Sequence, residues 1–317
     1  MSTIFTLSIL RSALELGCIY ALVALALFLS FRILNIADLS TDGCFTLGCA
    51  VGAMVTLSGH PVLAFFAAMG AGICSGFVTA FLQTRMGVPS ILAGIIVNTG
   101  LYTVNIAVMD FSSNVNLFAC DTIFSLAKEK LSYGWYADWY KLLIILAIVI
   151  ITGVLLSLFL NTRLGLSIRA TGDNEYMVRA SSINPLFMIT VGLCAANALT
   201  ALSGALLGQY QKSCDINLGT GMVTIALASL IIGETLVRKG GIPRKIVGVI
   251  LGSCLYRFIV ALALRMNVPA EALKLVSAII VAIAIAFPYL KEKSTFYRQR
   301  GIHRRICRKE ESANVSH

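Results

Sequence analysis

The most constraining feature of this chain is a repeat of length. Apolar runs of about 16 to 22 residues recur near 8–30, 43–58, 62–83, 90–109, 140–160, 186–208, 222–237, 246–264 and 272–290. Since a helix needs about 20 apolar residues to cross the hydrocarbon core of a bilayer, the runs predict about nine crossings, two of them short. The polar chain left between them is too little for a soluble domain: 58% of residues are hydrophobic and 13% charged, and the mean hydropathy is +0.86. The expected fold is an all-α integral membrane protein, a polytopic helical bundle. The first run has no basic stretch before it and continues into RILNIADLS without a small-residue cleavage site, so it reads as a retained span.

Charge sets the expected orientation. With the tail KEKSTFYRQRGIHRRICRKE on the cytoplasmic side, counting spans backwards puts Arg238, Lys239, Arg244 and Lys245, then Arg163, Arg169 and Arg179, then Arg85 and Arg32, on that same side. Seventeen of the twenty-five Lys and Arg then lie inside, six (Lys128, Lys130, Lys141, Lys212, Arg265, Lys274) lie outside, and Arg11 and Arg257 fall within spans. The net charge of +10 is therefore a topology signal with an attraction to anionic lipid, and nucleic acid is excluded as a partner. The loop 110–139 is expected outside.

The nine cysteines are scattered through apolar runs without a C-x-x-C pair. The histidines His60, His303 and His317 form no H-E-x-x-H. Metal and thiol chemistry find no support, and the cysteines read as small apolar packing groups. Cys120 and Cys214, both expected outside, lack any disulfide spacing pattern, so free thiols are expected. GCAVG, GICSG, GALLG and GVILG each carry Gly at i and i+4, which lets helices approach closely in a solvent that gives apolar side chains no reason to associate.

Two polar breaks are more informative. After the first run comes RILNIADLSTDG and a short apolar run; after the sixth comes QYQKSCDINLGTG and another short run. The shared order of long helix, Asp/Asn/Gly break and short helix, with one break facing in and the other out, fits an inverted repeat with broken helices. An ionisable residue at mid-membrane is expensive, so Asp38 and Asp42 are expected in a protein-lined cavity or polar loop. With Asn35 and Thr41 of the same break, the face of the fourth run that carries Asn98 and Asn105, and the Asn197/Thr200 face of the sixth, they are the candidates for lining a substrate pathway. The residues alone leave open that these groups simply bond helix to helix. Glu15 can pair with Arg11 at i−4.

Between the fifth and sixth runs lies TRLGLSIRATGDNEYMVRASSINP. Asp173 and Glu175 sit where a helix is expected to begin and Arg179 near its end, each charge matched to the helix dipole. Glu175 and Arg179 form an i, i+4 pair in the favoured order. Gly165 and Gly172 are expected to break the segment before this helix and Pro185 to stop it, so that a short cytoplasmic helix presents Met177, Val178 and Ala180 to a partner.

This segment resembles the cytoplasmic coupling segment of permeases in the branched-chain amino acid and ribose importer group of ABC transporters. The match falls on Gly165, Arg169, Ala170, Asp173, Asn174, Ala180, Ile183 and Asn184. GCIYALVALALFLSFRILNIADLSTDGCFTLG resembles the first span and following loop of that group, and LKLVSAIIVAIAIAFP its last span. The DLSTDGCFTLG and LKLVSA forms look closest to a subgroup that includes tryptophan and tyrosine systems; 110–139 is the least matched part. The resemblance implies a permease domain over 1–290, with 161–185 as its coupling segment, and a basic cytoplasmic tail over 291–317. It implies a second permease copy or close relative, two cytoplasmic ATPase subunits and an extracellular substrate-binding protein as partners, in the plasma membrane. The chain has no G-x-x-x-x-G-K-[ST], so no cofactor of its own is expected and ATP is left to the partner. An ion-coupled secondary transporter would share the broken helices but has no need of a docking helix, and an intramembrane enzyme would need a catalytic pair or metal motif.

Overall fold

The computed structural model describes residues 7–131, 139–237 and 240–265, together with 275, 278, 279, 282 and 286. The expected last span is thus described only at those five positions; the tail 291–317, Arg238 and Lys239 lie outside the described residues.

Among the described residues, six helices are long and apolar enough to cross a membrane. The first, α1 (Leu7–Leu27), runs on into a π-helical turn, Phe28–Ile33. The others are α3 (Leu63–Thr84), α4 (Ser90–Val108), α6 (Tyr140–Asn161), α9 (Pro185–Gln211) and α11 (Ile242–Arg265). Two shorter apolar helices, α2 (Thr41–Leu57) and α10 (Met222–Leu236), fall on the two short runs. Their 17 and 15 residues give about 25 and 22 Å of helix, less than the roughly 30 Å hydrocarbon thickness. Two further helices, α7 (Arg163–Asp173) and α8 (Glu175–Ala180), fill the segment between α6 and α9, and α5 (Ile123–Leu131) precedes α6. A two-stranded antiparallel ribbon, β1 (Asn114–Asn116) with β2 (Ser213–Asp215), pairs Val115 with Cys214.

Helix α1 is the hub. Ile19, Ala21, Leu22, Ala24, Leu25 and Leu27 are all buried, which covers every face of a 3.6-residue helix. It contacts α6, α9, α10 and α11. By contrast α6 exposes Leu146, Ile150, Ile151, Val154, Leu155 and Leu158, an apolar surface suited to lipid. The glycine pairs act as their spacing suggests, and α9 is clamped between α2 and α3. A Cβ on Gly52 would lie 2.7 Å from the Ala205 methyl, one on Gly208 2.7 Å from Cys49 Sγ, one on Gly72 2.7 Å from the Ala201 methyl and one on Gly76 2.7 Å from the Leu193 carbonyl. Gly252 meets Ser229 and Gly233 where α10 crosses α11.

These contacts also fix direction. Gly48 and Gly52 meet Ala201 and Ala205, so α2 runs parallel to α9, whereas Gly72 meets Asn197 and Gly76 meets Leu193, so α3 runs antiparallel. The Ser203 hydroxyl donates to the Ile19 carbonyl at 2.7 Å and Leu34 packs on Gly192, so α1 is antiparallel to α9 as well. The end of α1 with Arg32, the end of α3 with Arg85, and α7 and α8 with Arg163, Arg169 and Arg179 therefore share one end of the bundle. The ribbon and α5 occupy the other, where Gln209 donates to Thr56 Oγ1 (3.1 Å) and the Pro61 carbonyl (2.8 Å) and accepts from Ile123 N–H (3.2 Å). Also there, Glu15 accepts from Arg11 (3.1 Å) and from the Tyr210 hydroxyl (2.7 Å). Cys120 and Cys214 are free thiols; Cys214 is buried in a cluster with Cys49.

Candidate functional site

The first break begins where α1 loosens. Its π-helical turn ends with Leu34 N–H on the Leu29 carbonyl (3.1 Å), and Ile36 N–H reaches the Ser30 carbonyl (2.9 Å). Asn35 then takes a left-handed conformation (φ 57°), which Asn tolerates better than most residues. The chain turns back into the bundle and buries Asp38. Its Oδ1 accepts from Ser40 N–H (2.9 Å) and the Ser40 hydroxyl (2.6 Å), and its Oδ2 from Asn197 Nδ2 (2.9 Å). The Thr41 hydroxyl donates to the Asp38 carbonyl at 3.1 Å, and Thr79 of α3 to the Ser40 hydroxyl at 3.3 Å. A carboxylate at membrane depth is tolerable when donors replace its water, and here three do. Asp38 thereby ties the break to α9 and, through Ser40, to α3.

Four residues on, Asp42 belongs to the first turn of α2 but caps another helix. Its Oδ2 accepts from Gly221 N–H (3.0 Å) and its Oδ1 from Val223 N–H (2.8 Å), at the start of α10. Beside it Gly219 N–H donates to Thr46 Oγ1 (3.1 Å). The N-terminal, partially positive ends of both short helices therefore converge on one half-buried carboxylate. Asn105 of α4 donates to the Gly43 carbonyl at 3.1 Å, and Asn98 Oδ1 crowds Gly43 so closely that a Cβ there would come within 2.6 Å. Asn217, Thr220, Gly221 and Thr224 are exposed along the second break and the start of α10, a strip of polar groups and bare backbone between apolar helices.

The structure thus joins Asp38, Thr41 and Asn197 in one cluster and Asp42, Asn98 and Asn105 around a second. It separates Thr200, whose hydroxyl is buried and bonds back to the Ala196 carbonyl of its own helix (3.2 Å), and Asn35, exposed at the opposite end of its break. The sequence reading missed Ser40, Thr79, Thr46, Gly219 and Gly221. Asp38-x-Ser40 before a helix carried a readable turn signature; the pairing of Asp42 with α10 carried none.

The segment 161–185, expected to be the coupling segment, departs from expectation in detail. Asp173 does not begin a helix; it ends α7, and Asn174 is the hinge. In extended conformation (φ −160°, ψ 102°), Asn174 closes α7 and caps α8 by accepting from Met177 N–H at 3.1 Å. Gly165 and Gly172 do not break the segment but lie within α7, because backbone approaches them: Phe159 and Leu160 at Gly165, Ile33 and Leu34 at Gly172. Pro185 does not end α8, which stops at Ala180; it opens α9, with Asn184 as cap accepting from Leu186 N–H (3.1 Å). Glu175 and Arg179 do pair, at 3.0 Å. Val178 is buried with Ile168, and Ile183 packs on the main core. Leu164, Leu166, Tyr176 and Met177 are exposed beside Asp173, Arg179 and Ala180, while Arg169 and Ala170 are half-buried. Several residues of the resemblance therefore shape the segment, and different ones form its outer surface.

Comparison with known proteins agrees with these features. The family described as branched-chain amino acid transport system / permease component matches residues 9–286. A tyrosine transport system permease protein of Clostridioides difficile is 32% identical over 276 residues, covering 87% of this chain and 90% of that one. The ribose import permease protein RbsC of Escherichia coli K12 is 26% identical over 294 residues, 89% of this chain and 85% of its own. An uncharacterized Rickettsia prowazekii protein, RP368, is 29% identical over 285 residues, 88% and 98% of the two chains. No solved structure matches the chain. With its multi-pass helical bundle and a match over most of its length, this chain belongs to the branched-chain amino acid transport system permease family and is a membrane permease subunit of the ABC importer type.

Proposed function

We propose that this permease imports an amino acid, with an aromatic side chain as the first class to test, handed over by an extracellular binding protein and driven by two cytoplasmic ATPase subunits. It works beside a second permease copy. The amino-acid reading rests on the tyrosine-system relative. The coupling reading rests on the elbow of α7 and α8: exposed Leu164, Leu166, Tyr176 and Met177 on its outer side, and backbone contact through Gly172 with the end of α1 on its inner side. That inner contact is the observation that carries the mechanism. A docking surface transmits motion only if it bears on the bundle, and Gly172 bears on the residues that open the first break.

In this reading the permease domain spans 1–290 with nine crossings, the coupling segment and the tail 291–317 are cytoplasmic, and 110–139 is outside. The two long-helix, break, short-helix units form an inverted pair. Asp42, Asn98 and Asn105, with the exposed backbone at Gly221, line the pathway, while Asp38, Asn197, Thr41 and Thr200 hold its wall. The convergence of two helix N-termini favours an anionic group such as a substrate carboxylate nearby, with Asp42 available to its amine.

Co-expression with the partner ATPase and binding protein, followed by uptake of labelled tyrosine into proteoliposomes, tests the assignment. ATP-dependent uptake that requires loaded binding protein is expected. Uptake driven by an ion gradient with the permease alone would refute it. Orientation is checked with Ser112→Cys and Ser181→Cys: an impermeant thiol reagent on intact cells should label the first only, and labelling of the second would invert the topology.

A further inference from the structure

Away from both breaks, α2, α3 and α4 enclose an open groove of about 660 Å³. Its lining includes Val51, Val78, Leu82, Ile96, Gly100 and Val104, with a single hydroxyl, Ser75. It runs from Ala71 and Val108 to Leu82 and Ile96. From Ala71 to Leu82, eleven residue steps along α3, the helix rises about 16 Å, close to half of the roughly 30 Å hydrocarbon thickness. Gly100 keeps it open. A Cβ there would meet nothing within 4 Å, so no neighbouring atom demands glycine, and glycine lowers helix stability relative to alanine. The residue leaves space, and the space is apolar.

The end of the groove at Leu82 is charged. Arg85, one turn beyond Leu82 and on the same side of the helix line, is the one Asp, Glu, Lys or Arg between Asp42 and Asp110. It is exposed and forms no ion pair among the described residues. Beside it Gln83 Nε2 is buried without a hydrogen-bond partner, and the first amides of α4, after Pro89, have no side-chain cap. A guanidinium and uncapped helix amides thus stand at the end of an apolar slot one leaflet long.

We propose that this groove is a binding site for an anionic phospholipid, with one acyl chain along Val78, Ile96, Gly100 and Val104 and the headgroup phosphate at Arg85 and the start of α4. The charge complementarity selects lipid over an apolar helix of a partner, because a lipid alone supplies a phosphate at the head of a chain one leaflet long. Leu101 lines the groove and packs with Asn98 against Gly43, so lipid there bears on the wall of the proposed pathway.

Native mass spectrometry of the full-length permease, released from nanodiscs containing phosphatidylglycerol and phosphatidylcholine of the same acyl composition, tests the site. Phosphatidylglycerol should be retained several-fold over phosphatidylcholine. Arg85→Gln should cut phosphatidylglycerol retention about fivefold and leave phosphatidylcholine unchanged, while Gly100→Phe, which fills the slot, should lower both. Val104→Trp repeats the filling test should Gly100→Phe not yield a monodisperse protein. Inorganic phosphate at millimolar concentration should not displace the lipid; displacement would assign the site to a free anion. Equal retention of the two lipids, or wild-type retention in Arg85→Gln or in both filling variants, overturns the proposal. So does efficient disulfide cross-linking of two Gly100→Cys copies in the membrane, which would make a second copy the occupant.

Discussion

Between Leu34 and Ser40 the chain leaves α1 through left-handed Asn35 and buries Asp38 among donors from two helices; between Lys212 and Gly221 it leaves α9 through left-handed Lys212 (φ 56°), buries Cys214 and Ile216, and exposes Asn217, Thr220 and Gly221. Both breaks start alike and both lead to a short helix. The first is tied to α9 by Asp38 and Asn197, to α3 by Ser40 and Thr79, and to the coupling segment by Ile33 and Gly172. The second is tied to α2 by Asp42 and Thr46 and to the 113–117 segment by the β1–β2 ribbon, with Cys214 and Ile216 buried in a cluster with Cys49. The first bears on α7 through Ile33 and Gly172, and the second leaves polar side chains and backbone exposed at its tip. In the proposed mechanism the first break receives motion and the second meets the solute, and Asp42 joins them because it lies at the end of one and caps the helix that follows the other.

The largest expected effect comes from cutting the first break off from the coupling segment. A side chain at Gly172 must displace the backbone at Ile33, so Gly172→Leu should lower transport at least tenfold, a misfit of roughly 1 to 3 kcal/mol at the contact. The ATPase should still co-purify, because the outer surface at Tyr176 and Met177 is untouched. Asn174→Pro should instead weaken co-purification, since it removes the cap that starts α8. Wild-type transport in Gly172→Leu would erase the distinction between the breaks.

The two carboxylates give the next contrast. Asp38→Ala leaves buried donors of Ser40 and Asn197 without their acceptor and should destabilise the fold by roughly 3 kcal/mol, read as a lowered Tm together with lost transport. Asp38→Asn should recover much of both. Asn197 Oδ1 is buried without a partner, so rotating that amide offers an acceptor to the introduced NH2 group. Asp42→Asn should behave differently: its one amide oxygen keeps one of the two bonds to α10 while its NH2 faces the other N–H, so stability should fall by about 1 to 2 kcal/mol, but KM for the amino acid rises if the negative charge meets its amine. Equal behaviour of the two Asn variants would argue that neither break contacts the solute.

Much of this was legible in the sequence, and the exceptions share a cause. Run lengths located the six span-length and two shorter apolar helices among the described residues, because backbone satisfaction in lipid admits few alternatives to helices. Gly pairs such as Gly48/Gly52 and Gly204/Gly208 announced the clamp on α9, and Glu175 and Arg179 announced their pair by local spacing. What failed was whatever depended on a distant neighbour. Gly165 and Gly172 look like helix breakers until backbone from α6 and α1 is seen against them, and Asp173 looks like a helix start until Asn174 takes the cap. Thr200 shares a face with Asn197 yet bonds only its own helix. The ribbon of β1 and β2 pairs residues about a hundred apart through segments with no strand periodicity. Asp38 and Asp42 were found as candidates because charge in an apolar chain is costly; which of them was buried and which half-open could not be read from four residues of spacing.

The smallest expected effect tests whether the two breaks also communicate at the end of the bundle that carries the coupling segment. There Arg32, in the π-helical turn of α1, meets Glu234, near the end of α10, with Nε to Oε1 at 2.7 Å. The pair joins the helix that leads into the first break to the helix that leaves the second. Both side chains are partly exposed, so water screens the attraction, and the pair should contribute about 1 kcal/mol or less to stability. Arg32→Ala and Glu234→Ala should therefore leave Tm nearly unchanged. If the pair aligns α1 with α10 during the cycle, each single variant should lower transport by a factor of two to five relative to ATP hydrolysis, by about 1 kcal/mol in coupling. Exchange of the two charges, Arg32→Glu with Glu234→Arg, should then recover part of the loss, which separates the pair from any individual role of Arg32 toward lipid. Two single variants whose effects add, with no recovery on exchange, would mean that the breaks are joined through Asp42 alone.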